Sequence, residues 1–306
     1  MTLQDIEFKT SDGVTLRGWF VPSSEVPTGQ KAPCLVMCHG FSALKEMDLN
    51  TFALHFTTNL PLHCLVFDNR GFGSSDHGPG QHRHEIIPSI QTSDIQDAIT
   101  YAQSRPDVDP SKIGIWGSSY SGGHVLWVGA VDKSVKAVLS QVPCVDGWTN
   151  WHRLVRPDFA AAMNATFQQD RLARASGAPP ATLPVVDADP LKPSALPTPD
   201  SYTFFSTWAA KSAWQNQVTL KSIEAFREYN PAAHIHNIAP TPLLMTVARE
   251  DVLTPTDLAL EAYGRAREPK QLNLLEGGHF DGYSGGNFEG NAGVQTEFLR
   301  RWLVGA

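Results

Sequence analysis

Cysteine is scarce in this chain, and its placement excludes two common scaffolds. The 306 residues include only Cys34, Cys38, Cys64 and Cys144. All four lie in or beside apolar runs, and no two have C-x-x-C spacing. They read as buried, reduced thiols rather than a disulfide framework or a zinc site. Basic charge is also in deficit: 24 Lys and Arg against 31 Asp and Glu give a formal net charge of −7. A sequence-independent nucleic-acid binder must neutralise phosphates, so nucleic acid is not an expected partner. There is no basic stripe for an anionic membrane, and no apolar run reaches the length of a membrane span. The opening MTLQDIEFKTSDGVTLRGW lacks a charged segment followed by an apolar one, so no signal peptide is read and a cytoplasmic location is the expectation. No internal repeat stands out. Charged residues, at 18%, are too few for a disordered chain, whereas 42% apolar residues are enough for a sizeable core.

What is present is a rhythm. QDIEFKT and VTLRGWFV flank Ser11-Asp12-Gly13 and read as a hairpin. Six runs follow, at 33–39, 63–68, 112–117, 136–142, 242–248 and 270–275. They are continuously apolar rather than alternating, as strands covered on both faces must be. Helical patterns lie near 46–60, 90–104, 120–132, 256–267 and 294–303. Strand–helix alternation of this kind predicts a doubly wound, mostly parallel α/β sheet.

Residues 145–235 break the rhythm. The stretch begins and ends in helix-like text, with seven prolines between 179 and 199. An insertion of this length between core strands is rarely idle. It reads as a helical, Pro-rich cap over the carboxyl edge of the sheet, on a core made of 1–144 and 236–306. Trp148, Trp151, Trp208 and Trp214 lie inside it, and Trp127 just precedes it. Each alone could be ordinary cap core. As a set they suggest an apolar substrate pocket, with Trp148, Trp151 and Trp208 as its candidate walls.

The chemistry centres on GIWGSSYSGGHVL, residues 114–126. A buried strand runs into an apolar helix through a turn of glycines and serines. A residue held at such a turn needs small neighbours, because the backbone is strained and close to itself. Centring the turn on Ser119 puts Gly117 two residues before and Ser121 two residues after. Centring it on Ser118 would put Trp116 in the tight position. Centring it on Ser121 is sterically acceptable but pushes the hydroxyl into the first helical turn. Ser119 is therefore the candidate nucleophile, with the Tyr120 N–H free at the helix start to face an oxyanion.

A serine needs a base, and the base needs a carboxylate. Asp251 follows the run PLLMTVA, and His279 follows KQLNLLE inside GGHF. Both fall at strand ends, in the chain order nucleophile, acid, histidine. Asp146, after KAVLSQV, remains a rival for the acid. The loop after LVMCH offers the Phe41 N–H as second oxyanion donor, and His39 reads as a structural residue. Asp68 and Arg70 in FDNRGFGSSD read as a rigid turn. His77, His82 and His84 lack the carboxylate spacing of a metal site, so no metal or other cofactor is expected. GGHFDGYSGG lacks the lysine of a phosphate loop.

Together CHGF, DNRGFGSSD, GSSYSGG, REDVLTP and GGHF resemble the α/β-hydrolase superfamily over nearly the whole chain except the cap. That resemblance implies a mostly parallel, eight-stranded sheet flanked by helices, and a Ser–His–Asp enzyme. More narrowly, SDGVTLRGWF and IWGSSYSGGHVL resemble dienelactone-hydrolase-like and X-prolyl-peptidase-like serine hydrolases. They also resemble polyketide transferase hydrolases of natural-product gene clusters. Dienelactone hydrolases carry Cys where this chain has Ser119, so their substrate does not carry over. The polyketide resemblance implies hydrolysis of an ester, thioester or lactone of an apolar acyl substrate, including a carrier-bound thioester. It is equally compatible with acyl transfer to an alcohol or amine. A non-hydrolytic condensation or cyclisation on the same three residues is the further alternative.

Overall fold

The computed structural model describes residues 3–305. The chain begins with the antiparallel hairpin β1 (Gln4–Lys9) and β2 (Thr15–Val21). It continues through β3 (Ala32–Cys38), α1 (Leu49–Asn59), β4 (His63–Phe67), α2 (Pro88–Ser104), β5 (Val108–Ser118), α3 (Tyr120–Val131) and β6 (Val135–Gln141). The insertion carries α4 (Gly147–Leu154), α5 (Pro157–Ala175), α6 (Pro199–Ala209) and α7 (Leu220–Glu228). Two short strands, β7 (Thr182–Leu183) and β8 (Val218–Thr219), pair within it. The core then resumes with β9 (Leu243–Ala248), α8 (Thr256–Arg265), β10 (Lys270–Leu275) and α9 (Phe288–Leu299).

Eight strands form one sheet in the order β1-β2-β4-β3-β5-β6-β9-β10. Only β2 runs against the rest, since it is antiparallel to both β1 and β4 while the other pairs are parallel. Strands β3, β4 and β9 are buried throughout; in β3, Ala32 to Cys38 are all inside. Helices α2, α3 and α8 cover one face, and α1 and α9 the other. Parallel strands need such crossovers, and the apolar runs are the sequence trace of two covered faces. The run at 270–275 departs from this reading. β10 is an edge strand, and Gln271 and Leu274 are exposed because nothing pairs beyond it.

The topology creates the site. From β3 the chain crosses to β4 on one side, then returns over β3 to form β5 on the other. Connections that leave neighbouring strands in opposite directions open a crevice at their carboxyl ends. Ser119 follows β5 there, and the loop carrying Phe41 follows β3.

The insertion packs onto this edge through one apolar cluster. Phe41, Met47, Phe72 and Tyr120 from the core join Trp151, Phe167, Phe205 and Trp214 from the insertion. The Trp214 indole N–H also donates to Ser42 Oγ at 3.3 Å. Asp146, Thr198 and Thr219 cap α4, α6 and α7 with their side chains. The end of the stretch behaves differently. Pro231–Asn237 form a 3₁₀ helix, and Ala232 and Ile235 pack with α3 in the core rather than with the insertion.

Candidate active site

Ser119 sits between β5 and α3 with φ 58° and ψ −117°. A positive φ is costly for a residue with a Cβ, so the surroundings must impose it. They do so by close approach. A Cβ on Gly117 would lie 2.0 Å from the Ser121 carbonyl oxygen, and one on Gly40 would lie 2.7 Å from the Ser119 Cβ. The Ser119 N–H donates to the Gln141 carbonyl at 2.8 Å, and its own carbonyl accepts from Cys144 N–H at 3.0 Å. The end of β6 and the loop after it thus grip the turn from both sides.

The three candidates from separate strand ends meet. His279 Nε2 lies 3.0 Å from Ser119 Oγ, and His279 Nδ1 lies 2.8 Å from Asp251 Oδ2. His279 is 1% exposed and Asp251 5%, so the chain of contacts is closed to bulk water except at the serine. Asp251 is itself held: its Oδ1 accepts from the Leu253 and Thr254 N–H groups at 2.9 and 2.8 Å. Thr254 Oγ1 lies 2.9 Å from Asp251 Oδ2 and 3.0 Å from the Val142 carbonyl. A carboxylate with these partners cannot rotate away from the imidazole. Val142, a β-branched residue with φ 38°, follows β6 and accepts the Thr254 hydroxyl there.

Asp146 is elsewhere. Its Oδ1 caps α4 by accepting the Thr149 N–H at 2.9 Å, and its Oδ2 lies 3.4 Å from Asn230 Nδ2. Among the described residues it makes no contact with His279, and the carboxylate beside the imidazole is that of Asp251. An aspartate placed just before a helix finds the free amides of that helix first.

Phe41 and Tyr120 both border the space around Ser119. Neither backbone N–H has a protein acceptor among the described residues. The neighbouring Gly40 N–H is already used, donating to His39 Nδ1 at 2.7 Å. His39 Nε2–H donates to the Met47 carbonyl at 2.6 Å. Burial drives the His39 imidazole down to about 4, which matches a neutral ring with one donor and one acceptor nitrogen. Ser121 Oγ donates to the His39 carbonyl and so ties the turn to the β3 loop.

Asp68 and Arg70 form the rigid turn expected of them. Asp68 accepts from Lys45 N–H at 2.9 Å and pairs with Lys45 Nζ at 2.6 Å. Arg70 holds Asp94 through two nitrogens and reaches Asp12 at 2.8 Å. His84 points elsewhere, its ring edge-on to Phe72, and among the described residues no cluster suited to a metal ion occurs.

Two of the three tryptophan walls, Trp148 and Trp208, are a correction. Trp148 is 58% exposed and lies against His152 at the surface, the two rings tilted to each other. Trp208 borders an outer groove with Asp48 and Lys211. Trp151 is buried, but it lines a cavity within the insertion. Two small spaces flank Ser119 instead. Leu196 and Leu253 line both; Phe204 and Phe280 add to one, and Phe226 and Leu154 to the other. Phe204 of α6 stacks on Phe280 at 4.4 Å. Leucines in loops carry no periodic signal, whereas tryptophans draw the eye without saying which way they face.

Sequence reasoning also missed Thr254 and Tyr283. Thr254 had a signal: Asp251 followed at the third position by threonine is a local side-chain-to-backbone turn. Tyr283 had none. Its hydroxyl bonds Ser118 Oγ, and its ring lies flat against His39 at 5.9 Å. Behind it Gln141, Asn291 and Gln295 bond one another in a buried polar network.

Comparison with known proteins agrees with this architecture. The family model for the α/β hydrolase fold matches residues 33–285. The polyketide transferase grgF of a Penicillium species is 32% identical over 98% of this chain and 97% of its own length. A thiohydrolase of Eupenicillium brefeldianum is 28% identical over 97% and 94%. The crystal structure of the α/β hydrolase GrgF from Penicillium sp. sh18 superposes with a TM-score of 0.85, at 30% identity and 99% coverage of both chains. A match that spans the sheet from β3 to beyond β10, on a topology that turns between β3 and β5, makes this chain a member of the α/β-hydrolase fold family.

Proposed function

We propose that this protein is a serine hydrolase that cleaves an ester, thioester or lactone of an apolar, polyketide-like acyl group through an acyl-Ser119 intermediate. The observation that carries the reading is the single imidazole bridging Ser119 Oγ and the buried Asp251. With Nδ1–H donated to Asp251, Nε2 is the free base and faces the hydroxyl. His279 takes the Ser119 proton as Oγ attacks the carbonyl carbon. The oxyanion that forms is met by the Phe41 and Tyr120 N–H groups, which are fixed before the substrate arrives. His279 then gives its proton to the leaving thiol or alcohol, and the acyl group stays on Ser119. Water activated by the same imidazole releases the acid.

The relatives named thiohydrolase support release to water, and those named polyketide transferase support a second reading. There the acyl-Ser119 intermediate is the same, and an alcohol or amine replaces water. The apolar walls around Ser119, which limit water at the acyl bond, favour keeping this reading beside the first.

The test is incubation with an activated acyl ester and intact-mass detection of the adduct. One acyl group on the wild type and none on Ser119→Ala is expected. An adduct surviving Ser119→Ala, or none on the wild type, overturns the assignment. Product analysis with and without an added amine or alcohol separates hydrolysis from transfer. Activity retained by Ser119→Ala would point instead to condensation or cyclisation with His279 as base.

A further inference from the structure

Between α4, α5, the Pro-rich segment and α7 lies a small cavity that opens to solvent. Trp151, Leu154, Phe159, Met163, Leu183 and Ile223 form its apolar walls. Its two charged residues, Arg156 and Lys192, are solvent-exposed and mark its mouth. Its apolar walls stand in contact with water, and an apolar occupant would remove that surface from it.

Its position identifies the occupant. Leu154 lines this cavity and also the space that holds Ser119, Tyr120, Cys144 and Asn150. Leu196 lines the spaces around Ser119, and its chain neighbours Ala195 and Pro197 line the distal cavity. The two regions are therefore separated by single side chains. Leu154 is the last residue of α4 and only half-buried, so it is not locked by core packing. We infer that the distal cavity is the tail site for the acyl substrate. It takes the far, hydrocarbon end of a chain whose carbonyl lies at Ser119, and Leu154 is the side chain the tail must pass. The inference rests on the acyl-Ser119 reading and adds a substrate class to it: extended apolar acyl chains rather than short ones.

Thioesters of N-acetylcysteamine with unbranched acyl groups from acetyl to decanoyl provide the test. Each methylene entering an apolar site should raise kcat/KM about fourfold. The readout is the decanoyl-to-acetyl ratio of kcat/KM. Met163→Trp fills the cavity and Leu154→Trp closes the passage, and each should lower that ratio at least about tenfold, whereas Leu154→Ala should not lower it. Circular dichroism checks that each variant is folded. Calorimetric binding of decanoate to wild type and to Met163→Trp reads the cavity without chemistry, with a loss of about tenfold expected. Ratios and affinities within about twofold of wild type in both tryptophan variants overturn the tail site. Decanoate binding that responds to Met163→Trp, with no turnover of any thioester, would overturn the hydrolase reading and leave the tail site standing.

Discussion

A serine hydroxyl is a weak nucleophile at neutral pH until its proton has a place to go, and here that place depends on one carboxylate. In the proposed mechanism Asp251 fixes the His279 tautomer, so Asp251→Asn keeps the shape but presents the wrong nitrogen to Ser119. The expected loss is about 10⁴-fold in kcat, with little change in melting temperature. Asp146 provides the contrast, because it also follows a core strand but caps α4. Asp146→Ala should cost about 1 kcal/mol in a denaturant titration and leave kcat within about twofold. If Asp146→Ala lost the rate and Asp251→Asn kept it, the roles argued for both residues would be wrong.

At the scale of elements, α6 and the loop after it hold the insertion down. Trp214 packs on Phe205 at 5.0 Å between ring centres and bonds Ser42 from the β3 loop. Trp214→Ala should destabilise by about 3–5 kcal/mol, read by chemical denaturation, because a buried indole leaves a cavity that its neighbours cannot fill. A loss below about 1 kcal/mol would mean that the insertion is not anchored there. The elements themselves were readable in sequence to different degrees. The core strands were legible because burial on both faces writes a continuous apolar run, as in LVMC of β3. Ser119, Asp251 and His279 were legible because parallel strands deliver their carboxyl ends to one edge, so chain order alone brings them together. The pocket was not legible. Leu196, Leu253 and Phe280 lie in loops, and their facing is set by how the insertion folds back, a long-range property with no period. Trp148 misled for the same reason, since composition does not distinguish the inner from the outer face of a short helix.

Across the whole molecule, two buried histidines carry an acid liability. His124 lies between Gln91 Oε1 at 2.9 Å and Tyr229 Oη at 3.0 Å, and burial drives its imidazole down to about 3. His39 is driven to about 4 in the same way. Both stand below the ordinary value of 6.5 that the unfolded chain would have. Their contribution to stability is therefore complete above about 6.5 and drains away as the pH falls toward about 4. Asp94, whose carboxyl burial raises to about 6 against the pull of Arg70, acts in the opposite sense over part of that window. The histidines are thus best followed directly. Imidazole NMR signals of His39 and His124 should stay fixed from pH 7 to about pH 5. Titration of either ring near pH 6.5 would contradict its neutral, bonded state. One further consequence belongs to the molecule as a whole. Phe280, the residue after His279, carries the stacked Phe204 of α6 on its ring. A ligand too large for the space beneath α6 pushes on the chain neighbour of the base itself. Poor substrates are then penalised twice, in how well they fit and in how fast the proton moves, so discrimination among acyl groups should be written in turnover as much as in affinity.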